Sequence, residues 1–80
     1  MEEKYIREFG NGVKMQMTIE TITAGLLVQK TAIQPNGKLS VVFTRRYFFN
    51  DKLGYNSHDD LFKLVHKKHS DFLNQAKRIK

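Results

Sequence analysis

The strongest constraint in this 80-residue chain is a change in the period of its apolar residues. Residues 13–20 (VKMQMTIE) alternate strictly between apolar and polar side chains, a pattern typical of a strand with one buried face. From Ser57 to Lys80 the apolar residues recur every three or four positions instead, which indicates an amphipathic helix. The two patterns together predict an antiparallel sheet packed on one C-terminal helix.

The segments around and between these two patterns complete the predicted sheet. Residues 23–33 and 38–49 have strand composition, and the turn signal Gln34-Pro35-Asn36-Gly37 between them predicts a hairpin. Residues 4–9 are the least clear segment, since they suit an edge strand or a short helical turn. The sequence therefore predicts a single α+β domain over residues 1–80, with three to four antiparallel strands in β-β-β-β-α order.

Two local signals add detail to this prediction. Gly25 lies in the middle of a predicted strand, which indicates a bulge or a close approach of another backbone. Ser57 is the natural N-cap of the helix, and Asp60 follows three residues later in a position that resembles a capping box. We therefore expect the helix to begin immediately after Ser57.

The length and the lack of cysteine limit how the domain is stabilised. A chain this short buries only about 60–65% of the surface that its unfolded form exposes. No cysteine is present to form a disulfide or a cysteine-based zinc site, so we expect a homodimer to supply further buried area. The same absence suits a reducing compartment, and we expect a cytoplasmic protein. No apolar run approaches the roughly 20 residues that span a membrane, and the acidic N-terminus MEEKYIREF does not resemble a signal peptide.

The formal net charge of +6 is unevenly distributed along the chain. Residues 1–20 carry three cations and four acids, whereas residues 21–80 carry eleven cations and four acids. The excess therefore belongs to the later strands and the helix. Such a surface favours nucleic acid or an acidic protein as partner, although a lysine-rich surface also serves solubility alone.

Residue patterns that would indicate catalysis or metal binding are weak. His66 and His69 are three residues apart, but a metal site would need a third and a fourth ligand. Asp59 and Asp60 lie where the N-terminus of a helix favours acids, so capping explains them. No serine is placed in a nucleophile motif, and the Gly10-Asn11-Gly12 segment lacks the lysine of a phosphate loop. We expect no enzyme, no metal and no cofactor.

The segment Arg45-Arg46-Tyr47-Phe48-Phe49 is the strongest candidate for a functional motif. Arginines bind phosphates without reading sequence, and aromatic rings stack on unpaired bases. The alternation of a strand leaves a second interpretation open, in which Tyr47 and Phe49 enter the core and Phe48 alone is exposed.

The leading hypothesis is a small non-enzymatic module that binds nucleic acid, preferably single-stranded, on a basic sheet face dotted with aromatic residues. The residues expected at this surface are Lys30, Arg45, Arg46, Tyr47, Phe48, Lys63 and Lys67. The alternative is a protein-interaction factor (an inhibitor, adaptor or subunit) that docks on a larger protein through an exposed apolar sheet face or an edge strand. The character of the sheet face that points away from the helix distinguishes the two hypotheses.

Overall fold

The computed structural model describes residues 2–79 and has the predicted α+β architecture. Its five strands form one antiparallel sheet in the order β4-β3-β2-β1-β5, where the sequence predicts three to four strands. No helix in this range is long and apolar enough to cross a bilayer. The elements are β1 (Glu2–Glu8), β2 (Lys14–Ile22), β3 (Gly25–Ile33), β4 (Leu39–Phe48), α1 (His58–Lys68), α2 (Ser70–Leu73) and β5 (Lys77–Ile79).

Turn residues close two hairpins, and the β3–β4 hairpin is predicted by the sequence. Between β3 and β4, the backbone amide of Gly37 donates to the carbonyl of Gln34 at 2.9 Å, and Gly37 adopts a φ of 86°. Between β1 and β2, the amide of Phe9 donates to the carbonyl of Val13 at 2.8 Å, and Asn11 has a φ of 70°. Positive φ angles favour glycine and asparagine, which explains these residue types at the turns.

The C-terminal segment differs from its prediction. The expected continuous helix ends at Lys68 and resumes for the single turn of α2, after which residues 77–79 form β5. This short strand pairs with β1, where Ile79 lies opposite Lys4. The pairing satisfies backbone groups along an edge of β1 that would otherwise be open, so tertiary contact overrides the helical pattern. Lys80, the expected end of the helix, lies outside the described residues.

The core lies between the sheet and the helical segment. Strands β2 and β3 contribute four fully buried side chains to it, and Leu61 and Val65 of α1 belong to the same buried cluster. The helix begins as predicted, because the amide of Asp60 donates to Oγ of Ser57 at 3.2 Å and the amide of Asn56 donates to Oδ2 of Asp60 at 3.2 Å. The buried apolar residues are Tyr5, Met17, Ile19, Leu26, Val28, Tyr47, Leu61, Val65 and Phe72.

Gly25 is the site of the close backbone approach that the sequence indicates. A Cβ atom at this position would lie 1.9 Å from the carbonyl oxygen of Tyr47 and 3.1 Å from Cδ1 of Leu61. Only glycine can therefore occupy the start of β3. The missing side chain lets β4 lie against β3 directly beneath α1.

Strand β4 is an edge strand with an irregularity in its middle. The register with β3 shifts so that Lys30 lies opposite Phe43 while Thr31 lies opposite Val41, which leaves Val42 as an extra residue. Because of this bulge, Phe43 faces the helix whereas Val41 faces the opposite side. Strict alternation along residues 38–49 would place Leu39, Val41 and Phe43 on one face, and the bulge breaks this alternation.

Candidate nucleic-acid interface

Six of the seven residues expected at the functional surface line one cleft between β4, the loop that follows it, and α1. The cleft consists of two adjoining depressions of about 350 Å³ and 300 Å³ that share Tyr55 and Leu64. We call this surface the basic cleft. Besides the two shared residues, it is lined by Arg45, Arg46, Tyr47, Phe48, Asn50, Leu53, Gly54, Asp60, Leu61, Lys63, Lys67 and Lys68.

Hydrogen bonds within the loop between β4 and α1, centred on Asn50, fix its conformation. The side chain of Asn50 accepts hydrogen bonds from the amides of Lys52 at 3.1 Å and Leu53 at 3.3 Å. The backbones of Asn50 and Tyr55 also bond to each other in both directions, at 2.8 and 3.0 Å. Gly54 closes this turn with a φ of 81°. The loop therefore places Tyr55 at the junction of the two depressions, which is a role that the sequence analysis missed.

The charge in the basic cleft is predominantly positive. Five cations line it, the predicted Arg45, Arg46, Lys63 and Lys67 together with Lys68, which the sequence analysis did not select. The ion pairs among residues 2–79 involve other cations, and of these five only Lys63 interacts electrostatically with an acid of the cleft, Asp60. A cation with no acidic partner is free to bind an external anion.

Asp60 is the one carboxylate that lines the basic cleft. Its pKa is lowered, first because the backbone amide of Asn56 donates to it, and then because Ser57 also bonds to it. The group is therefore ionised at neutral pH and serves as part of the helix cap. One capping carboxylate against five cations leaves the cleft strongly positive.

Of the aromatic residues on β4, the structure exposes Phe48 and buries Tyr47. The ring of Phe48 is 58% exposed, whereas Tyr47 is 7% exposed. The phenol oxygen of Tyr47 lies 3.1 Å from Nε2 of His69, and the guanidinium carbon of Arg45 lies 5.1 Å from the centre of the tyrosine ring. Phe49 is partly exposed, and its ring lies 5.1 Å from that of His58 in an edge-on arrangement. Phe48 is therefore the ring on β4 that is accessible for stacking, and Tyr47 forms the floor of the basic cleft.

Lys30 is the predicted residue that does not line the basic cleft. It projects from β3 toward the helical side, where its Nζ lies 5.3 Å from the ring centre of Phe43 and 5.1 Å from that of Phe72. Burial lowers the pKa of this ammonium group. Its contacts are cation–π interactions with residues of the fold, which distinguishes it from the exposed cations of the cleft.

The open face of the sheet, on the side away from the helix, is polar in its centre. Thr18, Gln29 and Thr44 form a row across β2, β3 and β4. Two lysines of this face have acidic partners: Lys4 lies 3.5 Å from Glu2, and Lys14 lies 3.7 Å from Glu8. Leu39 and Val41 add exposed apolar surface at one end. The cations of the basic cleft therefore gather at the β4 edge and along α1, and of these five Arg46 alone lies on the open side of the sheet.

A second polar group lies on the other side of α1, centred on Glu3. Its Oε1 accepts a hydrogen bond from the phenol of Tyr5 at 2.7 Å and lies 3.2 Å from Nε2 of His66, and its Oε2 lies 3.7 Å from Arg78. Burial, with this hydrogen bond, raises the pKa of Tyr5 to about 12. The Glu3 carboxylate thus links β1, α1 and β5, so its role is to hold the elements together.

Comparison with known proteins adds no relative to this description. No family model, no curated protein and no solved structure matches the chain.

Proposed function

We propose that the protein is a non-enzymatic module that binds single-stranded nucleic acid in the basic cleft. The observation that carries the proposal is that five cations without ion pairs and the exposed Phe48 gather around the C-terminal end of the β4 edge, with Arg46 and Phe48 on its open side and the other cations on its helical side. The cations come from two elements far apart in sequence, β4 and α1. A surface that merely keeps the protein in solution needs no such convergence.

The two kinds of residue in the cleft have complementary roles. Lysine and arginine neutralise phosphates and release the counterions condensed on the nucleic acid, which makes the affinity dependent on salt. Aromatic rings stack on the faces of unpaired bases, with a contribution of about 1–3 kcal/mol per base. Phe48 and, at the junction of the depressions, the partly buried Tyr55 are the rings placed for this contact.

The exposed ring is the reason for preferring a single strand. In a duplex the faces of the bases are covered by their neighbours, so Phe48 would gain little from contact with it. A single strand can turn a base toward the ring while its phosphates follow the lysines of α1. We therefore expect discrimination by strand state, with little dependence on base sequence.

The proposal is tested by measuring binding of the protein to labelled oligonucleotides across a salt series. We expect a single strand of about 20 nucleotides to bind with a Kd of about 10⁻⁴–10⁻⁶ M at physiological salt, and more tightly than the matching duplex. With three to five phosphates contacted, the logarithm of the association constant should fall with the logarithm of salt at a slope of about −2 to −3.5. The absence of salt-sensitive binding below about 100 µM would refute the proposal.

The cytoplasmic location and the homodimer predicted from the sequence belong to this proposal. A chain without cysteine loses nothing in a reducing compartment, and a small core benefits from further buried area. Sedimentation velocity over a hundredfold range of protein concentration would check the oligomeric state. A sedimentation coefficient that stays at the monomer value throughout would contradict the homodimer.

A further inference from the structure

We propose that the outer edge of β4, from Phe43 to Phe48, binds an extended acidic peptide from a partner protein as a sixth strand of the sheet. This proposal does not rest on nucleic-acid binding: its hydrogen bonds come from the backbone of β4, although the side chains of Arg45, Arg46 and Phe48 belong to both surfaces. An edge strand presents a row of unpaired backbone donors and acceptors, which is the template for strand addition. In the described residues, β4 has a neighbour on the β3 side only.

The direction of the β4 backbone follows from one hydrogen bond at the end of the strand. The amide of Phe49 donates to the carbonyl of Ala24 at 3.1 Å. In an antiparallel pair, the residues that bond to the neighbouring strand alternate with residues that point away from it. The amide and carbonyl groups of Thr44, Arg46 and Phe48 therefore point to the free side of β4. The bulge at Val42 interrupts this row, so the docking edge is its C-terminal half.

The side chains of β4 define the chemistry of the incoming strand. Residues 38–49 carry three cations and no acid. Arg45 lies opposite Val28 on the helical side of the sheet, and Arg46 lies opposite Leu27 on the open side, so a strand beside β4 meets a cation on both of its faces. Phe48, which is exposed on the open side, offers an apolar contact. Opposite charges across a strand pair stabilise it, which favours a peptide that combines acidic and apolar residues.

A second copy of this chain is a poor occupant of the same edge. The other edge of the sheet is β5, which has only three residues and carries Lys77 and Arg78. Pairing of β4 with β4, or of β4 with β5, would therefore bring cations together at the new strand pair. Like charges that face each other across strands are destabilising. The charge of the edge thus selects an acidic partner.

The test uses a labelled decapeptide of alternating glutamate and valine as the probe, with two matched controls. One control carries N-methyl groups on alternate backbone amides, which removes its ability to pair as a strand. The other replaces every glutamate by lysine. We expect fluorescence anisotropy to show binding of the probe at least tenfold tighter than either control. Equal binding of the probe and the N-methylated peptide would overturn the proposal, and so would equal binding of the lysine peptide.

Hydrogen exchange and a backbone substitution locate the binding. We expect the probe to slow amide exchange at Thr44 and Arg46 by at least tenfold. Thr44→Pro removes an outward amide without taking a hydrogen bond from β3, and we expect it to weaken probe binding at least tenfold, whereas Thr44→Val keeps the affinity. If Thr44→Pro fails to fold, the exchange data on the unaltered protein decide. Protection of these amides in the absence of peptide, accompanied by dimers, would show that a second copy occupies the edge.

The same measurements separate this proposal from the nucleic-acid proposal. Arg45, Arg46 and Phe48 belong to both surfaces, so we expect the oligonucleotide to compete with the probe. Thr44→Pro, however, should leave oligonucleotide binding within twofold of the original value. Peptide binding without any oligonucleotide binding would refute only the nucleic-acid function, and the reverse result would refute only strand addition.

Discussion

The phenol oxygen of Tyr47 and Nε2 of His69, 3.1 Å apart, link the edge strand β4 to the break between α1 and α2. His69 also meets the ring of Phe43 edge-on, with 5.5 Å between the ring centres. The contact therefore holds β4 against the helical segment beside Arg45 and Lys68. Because these two cations belong to opposite walls of the basic cleft, the Tyr47–His69 pair helps to set the width of the cleft.

Tyr47→Phe should reduce stability more than binding. The substitution leaves Nε2 of the half-buried His69 without its protein partner, which should lower the free energy of unfolding by about 1 kcal/mol. Denaturant unfolding measures this loss. Oligonucleotide affinity should change less than threefold, because the Tyr47 ring does not face solvent.

Tyr55→Phe is the matched control and should leave stability unchanged, since the phenol of Tyr55 has no hydrogen-bond partner among residues 2–79. Equal losses of stability in both variants would contradict this account.

His69 should make stability depend on pH below neutrality. Its pKa is lowered from the ordinary value of 6.5, first by burial and then by the positive charges of Lys30, Arg45 and Lys68. Below about pH 6.5 the unfolded chain therefore binds more protons at this residue than the folded chain does, so the free energy of unfolding falls as the pH falls. Unfolding curves between pH 7.5 and pH 5 should have a shallower pH dependence in His69→Gln. An unchanged dependence would show that the folded protein does not hold His69 in its neutral form.

Gly25→Ala should be among the most destabilising single substitutions. The new methyl group would lie 1.9 Å from the carbonyl oxygen of Tyr47, so the backbones of β3 and β4 must separate. Together with the φ of 153° at this residue, we expect a loss of at least about 3 kcal/mol in the free energy of unfolding. Gly10→Ala is the control, because nothing lies within 4 Å of its added methyl group. A Gly25→Ala protein that unfolds at the denaturant concentration of the control would contradict the close approach.

Phe48→Ala should weaken binding of a single strand by about tenfold while leaving stability nearly unchanged. The ring is exposed, so the fold loses little packing, but the loss of one stacked base costs about 1–3 kcal/mol. Leu39→Ala provides the comparison, since Leu39 is equally exposed and lies at the other end of β4, outside the basic cleft. Similar affinities of the two variants in anisotropy titrations would remove Phe48 from the binding surface.

Lys67→Ala and Lys68→Ala should each make binding less dependent on salt. For a single strand, loss of one phosphate contact should reduce the magnitude of the log–log salt slope by about 0.7. Lys38→Ala removes an exposed cation at the distant β3–β4 turn and should leave the slope as it was. If all three substitutions change the slope equally, binding follows the net charge of the protein and not the basic cleft.

Much of the fold could be predicted because its determinants are local. The alternation of residues 13–20 places Met17 and Ile19 in the core, and the turn at Gln34–Gly37 forms the β3–β4 hairpin. Ser57 caps α1 as expected from its position before the helical pattern. Each of these outcomes depends on neighbouring residues or on a short-range period.

Two features of the fold could not be predicted from the sequence, and each has a specific cause. Residues 77–79 have the spacing of a helix face, yet they form β5 because the free edge of β1 offers backbone hydrogen bonds that a solvated last turn of helix lacks. The bulge at Val42 depends on how β3 and β4 pair, and it reverses the facing of every residue on one side of it. Neither β5 nor the bulge can be recognised from the residue pattern of its own segment.

The amino-acid sequence by itself determined the strands and the helix between residues 13 and 68, the turns, the helix cap and the basic character of residues 21–80, because these depend on local conformation and composition. Only the tertiary structure decided that Tyr47 is buried while Phe48 is exposed, and that Lys63, Lys67 and Lys68 meet Arg45 and Arg46 across one cleft. The physical reason is that a strand turns successive side chains to opposite faces. Which face is covered depends on where α1, which begins at His58 after an intervening loop, comes to lie.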